Sequence, residues 1–200
     1  MRMKRDLRLI FLSGLLLVLP TFTQAEHLPV RAYTVFDGLA NDTVNKIVRD
    51  SRGFLWFCTG EGLSRFDGFE FKNYTQNEGL PHRNINDLLE TKNGEFLIAT
   101  TGGLVVFNPN GKAYRWNILT TSLEQNGSEP PMFRTFPTPN PTDDPEARSV
   151  LVLTQSSNGE VFAGTGKALF RLKKNGDEWV FQEVAAELFQ GKTVFAGLEF

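Results

Sequence analysis

The 200-residue sequence has one cysteine, Cys58, and two histidines, His27 and His82. A single thiol excludes an internal disulfide as a source of stability, so the core must hold the fold. So few histidines and cysteines leave no set with metal-ligand spacing, and Asp37, Asp50 and Asp67 sit at turn positions where a carboxylate caps its own backbone. Clusters of basic residues are missing too. Without residues 1–25 the chain carries 17 basic and 22 acidic residues, a net charge of −5. Such a surface cannot neutralise phosphates, which excludes nucleic acid as a partner and disfavours an anionic membrane face. No nucleophile motif, carboxylate pair or phosphate loop is present. Gly60-Glu61-Gly62 and Thr101-Gly102-Gly103 lead into hairpins where a phosphate loop needs a helix. These residues are therefore read as non-catalytic and without a cofactor.

Long apolar runs are also missing, the longest being the 11 residues Leu9 to Leu19. That is well short of the roughly 20 residues a membrane-spanning helix needs. Arg2, Lys4, Arg5 and Arg8 precede the run, and Thr23 and Ala25 supply small residues after it. This order predicts a cleavable signal peptide over residues 1–25 and export of the remainder.

What is abundant is strand and turn chemistry: 18 phenylalanines and 18 glycines within a chain that is 40% hydrophobic. The sequence also repeats. At an offset of 41 residues, Tyr33, Thr34, Gly38 and Leu39 fall on Tyr74, Thr75, Gly79 and Leu80. At the same offset Gly53, Leu55, Phe57, Thr59, Gly62, Leu63 and Phe66 fall on Gly94, Phe96, Ile98, Thr100, Gly103, Leu104 and Phe107 without a gap. A third copy lies 65 residues beyond the second, where Gly159, Val161, Thr165, Leu169 and Leu172 continue the register. The extra length contains six prolines between Asn117 and Arg148 and reads as an inserted loop.

Each copy divides into four short strands separated by turn residues. In the first, Val44 to Asp50 is the inner strand, Phe54 to Thr59 the second, Gly62 to Phe66 the third and Phe69 to Tyr74 the outer one. Sheets this apolar on both faces must stack around an axis. The fold class is all-β: β-propeller blades built as four-stranded antiparallel meanders, in an incomplete ring of about three to four blades. The predicted organisation is signal peptide 1–25 and partial propeller 26–200. Within the propeller lie an orphan closing strand at 30–36, blades at 43–75 and 84–116, a Pro-rich insert at 117–148, a blade at 149–184 and the start of a further blade at 193–200.

The run Gly53-Phe54-Leu55-Trp56-Phe57-Cys58-Thr59, followed by Gly62-Leu63-Ser64-Arg65-Phe66-Asp67-Gly68, resembles the two-component regulator propeller repeat, as does Tyr33-Thr34 with Asp37-Gly38-Leu39. The third copy departs from it by having Lys167-Ala168 before Leu169. The resemblance implies a periplasmic sensor region, tethered to the membrane through a later segment, whose further blades and output domain lie beyond these residues. That output would be a histidine kinase in a phosphorelay, or a diguanylate cyclase, and the full-length form is expected to dimerise.

The rim formed by the connections into the inner strands holds the candidate ligand residues. His82 and Arg83 can hydrogen-bond a polar or anionic ligand, and also fit a solvated loop. Asn41 and Asp42 can bind a sugar hydroxyl, and also fit an Asx turn that launches the next strand. A carbohydrate is one ligand class open to this rim. Trp56 reads as core between blades, since its equivalents are Leu97 and Phe162. Two other functions stay open beside sensing: an exported glycan lyase or hydrolase, and a protein-binding scaffold.

Overall fold

A computed structural model of the chain describes residues 30–111, 131–139 and 144–184. The expected signal peptide and the expected start of a further blade at 193–200 lie outside the described residues. Among the described residues, twelve strands form three four-stranded antiparallel sheets, each in chain order from inner to outer edge. The first sheet contains β1 (Val44–Arg49), β2 (Leu55–Thr59), β3 (Gly62–Phe66) and β4 (Phe71–Tyr74). In the second are β5 (Ile85–Glu90), β6 (Phe96–Thr100), β7 (Gly103–Phe107) and β8 (Phe133–Phe136). The third comprises β9 (Val150–Gln155), β10 (Val161–Thr165), β11 (Leu169–Asn175) and β12 (Glu178–Glu183).

The middle sheet shows why the sequence must stack. All five residues of β6 are buried, so its run Phe-Leu-Ile-Ala-Thr lacks the polar alternation of a half-solvated strand. Side chains still alternate between faces. Phe96 and Ile98 join the cluster around Trp56, Leu63 and Tyr74, whereas Leu97 and Ala99 join the one around Val150, Leu153 and Val161. Trp56 is fully buried between the first two sheets, its ring 5.4 Å from Phe96 and 5.7 Å from Phe107.

The residues that recur have recurring jobs. Thr59, Thr100 and Thr165 end the second strands, and each hydroxyl donates to the carbonyl three residues on, at 2.8, 2.8 and 3.2 Å. Each also accepts a turn N–H at 3.2 Å, so no polar group of the fully buried threonine is orphaned. Gly62 and Gly103 follow with φ of 143° and 128°. A Cβ there would sit 2.7 Å from the Tyr74 carbonyl oxygen and 2.8 Å from that of Phe136, so a side chain is blocked by conformation and by space. At the other end, Asp50, Thr91 and Ser156 each accept the N–H four residues on, closing the turn between the first and second strands.

The sheets are also tied to one another at equivalent points. Asn45 and Asn86, at register irregularities in β1 and β5, donate to the carbonyls of Ile85 and Val150 on the next inner strand, both at 2.7 Å. Glu90 accepts from the Ser51 N–H at 2.6 Å, and Gln155 from the Lys92 N–H at 2.8 Å. Asp87 joins all three inner strands, accepting from Lys46 at 2.8 Å and from the Leu153 N–H at 3.0 Å.

Two features differ from the sequence reading. The outer strand of the second blade, expected within the blade at 84–116, falls inside the expected insert at 117–148. It is β8, Phe133–Phe136, paired with β7 from Leu104↔Phe136 to Phe107↔Phe133. With β6 on one edge of β7 and β8 on the other, both edges are taken. Most of the extra length, residues 108–132, therefore enters between the third and fourth strands of one blade with Pro130 and Pro131, whereas Pro137, Pro139, Pro141 and Pro145 follow β8. Second, the expected strand at 30–36 does not run through Phe36. Thr34 and Asp37 form a capping box around a 3-10 turn at Val35–Asp37, repeated by Thr75 and Glu78 around Gln76–Glu78. Residues 30–34 carry no strand.

Candidate functional site

The turns between second and third strands and the connections into the inner strands come together on one rim. Asn41 and Asp42 are occupied by their own loop there. The Asn41 side chain accepts from the Thr43 N–H at 2.7 Å, an Asx turn, and Asp42 accepts from the Val35 N–H at 2.8 Å. Arg83 reaches back to Glu61 in the β2–β3 turn at 3.1 Å, with both side chains largely exposed. Screening by water leaves such a pair little energy, so its role is positional.

His82 is placed differently. It borders a cleft of about 600 Å³ between the second and third sheets, whose walls include Gly102, Pro145, Glu146, Arg148 and Leu151. Burial and the positive charge of Arg148 both hold the imidazole below its ordinary value of 6.5, so the ring is neutral at pH 7. Across the cleft, the one-turn helix Pro145–Arg148 is capped by Asp144, whose side chain accepts from the Glu146 N–H at 2.9 Å. Lys167 pairs with Glu146 at 2.9 Å, a contact that with Asp144 raises the lysine above its usual range.

The four sequence candidates therefore separate: one borders the cleft, one is in an ion pair and two serve turns. Sequence reading missed Arg148 and Gly102. Their signal was the repeat itself, because position 148 is the third-copy equivalent of position 83, and position 102 the second-copy equivalent of position 61.

Other chemistry-bearing groups are used internally. On the opposite rim a second cleft of about 540 Å³ is bordered by Arg52, Glu90, Glu95 and Arg134. Arg52 bonds to Asp50, Glu95 to Lys174, and Arg134 to the Asp177 carbonyl. Burial, with the negative charge of Asp87, pushes the Cys58 thiol up to about 12, leaving it protonated and inert. Among the described residues, no three of His, Cys, Asp and Glu are grouped to hold a metal, and no helix is long and apolar enough to cross a membrane.

Known proteins resemble this arrangement in part. A histidine kinase P4 of Formosa agariphila is 39% identical over 54 residues, which cover 27% of this chain and 4% of that protein. Among solved structures, the extracellular domain of BT3049 from B. thetaiotaomicron, described as a hybrid two component system, superposes with a TM-score of 0.54 at 18% identity. It matches 77% of this chain and 19% of that one. The corresponding domain of BT4673 from the same organism gives 0.54 at 17% identity over 80% of this chain and 19% of that one. At this identity the superpositions speak for the fold alone. Residues 38–61, which hold β1, β2 and the start of the turn after them, match the family described as two component regulator propeller.

Proposed function

We infer that the chain is the extracytoplasmic, ligand-sensing propeller region of a two-component or similar transmembrane signalling protein, and is itself non-catalytic. The observation that carries this reading is the family repeat at residues 38–61, set in a fold whose rim opens a cleft between two blades. A ligand seated there touches connections of both blades, and so favours one blade arrangement over another. That differential contact is what a relay needs in order to respond. His82 is the rim residue assigned to ligand contact. Arg83, Asn41 and Asp42 shape the neighbouring loops. The unidentified ligand, the remaining blades, the kinase or cyclase output and a dimeric full-length form belong to the same proposal.

An alkaline phosphatase fused after Phe200 tests the export half, since that enzyme matures only outside the cytoplasm. Activity that disappears when residues 1–25 are deleted is the expected result, and an inactive fusion that accumulates in the cytoplasm refutes it. The coding sequence continuing past Phe200 tests the signalling half. A closed ring followed by neither a membrane helix nor an output domain would sink it.

A further inference from the structure

The junction between the first and second blades and the junction between the second and third are built from equivalent positions that differ by one charge. At the first, Arg83 leads into β5 and pairs with Glu61 of the β2–β3 turn at 3.1 Å. The offset of 65 residues carries Arg83 onto Arg148, and the offset of 41 carries Glu61 onto Gly102. This equivalence holds in space, because Ile85 is paired with Thr100 as Val150 is with Thr165, each beside a ladder irregularity. Arg148 thus stands at the second junction where Arg83 stands at the first, and the carboxylate opposite is replaced by glycine.

The surroundings fit a partner from outside the chain. Among the described residues Arg148 makes no ion pair, whereas Glu146 is paired with Lys167 at 2.9 Å and Asp144 lies 3.8 Å from the same ammonium. The His82 ring lies over Gly102, so close that a Cβ there would come within 2.0 Å of it. The ring closes the place a side chain would take and brings no charge of its own at pH 7. Pro145, Leu151 and Gly166 make much of the remaining wall apolar. One guanidinium therefore stands unmatched beside an apolar-walled cleft of about 600 Å³.

We propose that this cleft binds a small carboxylate with an apolar body, its carboxylate held by Arg148 as Glu61 is held by Arg83 at the preceding junction, and its body against Pro145 and Leu151. The proposal rests on the ligand-sensing reading and names the chemistry of its ligand. A bound carboxylate, in contact with His82 of one blade and Arg148 of the next, ties two blades that have no ion pair of their own at this point. Guanidinium recognises carboxylate through charge-assisted, two-pronged hydrogen bonds, which a neutral amide cannot match.

Calorimetric titration of the full chain with phenylacetate, phenylacetamide and inorganic phosphate tests this. Phenylacetate is expected to bind, with phenylacetamide at least about tenfold weaker. Arg148→Ala, at an exposed position that should leave the fold intact by circular dichroism, is expected to weaken phenylacetate at least about tenfold. The double variant H82N/G102E copies Asn41 and Glu61 of the first blade. It is expected to lose phenylacetate, because the introduced carboxylate then takes the ligand's place on Arg148. The proposal is overturned if wild type does not bind phenylacetate, if Arg148→Ala binds it equally, or if phosphate competes with equal affinity. Equal binding of phenylacetamide by wild type and Arg148→Ala overturns the carboxylate assignment while ligand sensing stands. Phenylacetate that binds through Arg148 yet leaves the output of the full-length receptor unchanged overturns sensing and leaves the site in place.

Discussion

Asp50 tests the packing logic most sharply, because one buried carboxylate serves four donors. Its Oδ1 accepts the N–H groups of Arg52 at 3.0 Å and Phe54 at 2.9 Å, and its Oδ2 accepts the Trp56 indole at 3.0 Å and the Arg52 guanidinium at 3.2 Å. Asp50→Ala strands all four. Water reaches Arg52 and, in part, Phe54, so the dominant loss is the indole N–H of a tryptophan that is 0% exposed. An orphaned buried donor costs about 1–3 kcal/mol, and the lost turn bonds add about 1 kcal/mol more. The expected penalty in urea unfolding is therefore about 2–4 kcal/mol. Asp50→Asn should cost nearly as much, because an amide placing its oxygen on the turn N–H groups presents a donor to the indole. Adding Trp56→Phe removes the orphan, so its own cost should be about 1–2 kcal/mol smaller in the Asp50→Ala background than in wild type.

The pH dependence follows from the same bonds. Burial alone raises the Asp50 carboxyl, but the bonds from Trp56, Phe54 and Arg52 outweigh it and hold the group below its ordinary value of 3.8. A folded value below the unfolded one gives stability that is fully present above the unfolded value and fades as pH falls through the folded one. The Asp50→Ala penalty should hold from neutral pH to about pH 5 and shrink below about pH 4. Additive effects of Asp50→Ala and Trp56→Phe, or a near-neutral Asp50→Asn, would refute this account.

Gly103→Ala is expected to destabilise by more than about 2 kcal/mol, since φ is 128° and the new Cβ meets the Phe136 carbonyl oxygen at 2.8 Å. Gly68→Ala, with φ of 105° but open space around it, should cost only about 1 kcal/mol, and equal urea midpoints for the two would contradict the steric argument. Asn86→Ala removes the bond to Val150 at 2.7 Å and should cost about 1–2 kcal/mol, measured by thermal unfolding against an exposed control such as Lys173→Ala. Cys58, with its thiol pushed up to about 12, should resist maleimide at pH 8 until denaturant is added; labelling of the native chain within minutes would show that the second strand of the first blade is not closed.

Much of the fold was legible because the repeat is made of local chemistry. The threonine that ends each second strand and the polar residue that closes the first turn act within a few residues of themselves. Their spacing therefore marks strand ends directly. The assignment of Trp56 to the core was legible for a related reason, since its equivalents in the other copies are apolar. The four rim candidates were less so. Asn41, Asp42, His82 and Arg83 occupy equivalent connections, and only their neighbours decide that two make turns, one makes an ion pair and one borders a cleft. Arg148 was hidden by the insertion that separates it from its equivalents.

The sequence by itself determined that this is an all-β repeat protein, how many strands each copy has, and which family its first repeat resembles. These properties come from periodicity and turn chemistry, both of which act over a few residues. Tertiary structure alone decided that Phe133–Phe136 completes the second blade, because the free edge of β7 accepts a strand at any sequence distance that an insertion can bridge. It alone decided, too, that Arg148 and Gly102 border one cleft, since the meaning of a charge at a junction depends on what the neighbouring blade brings to it.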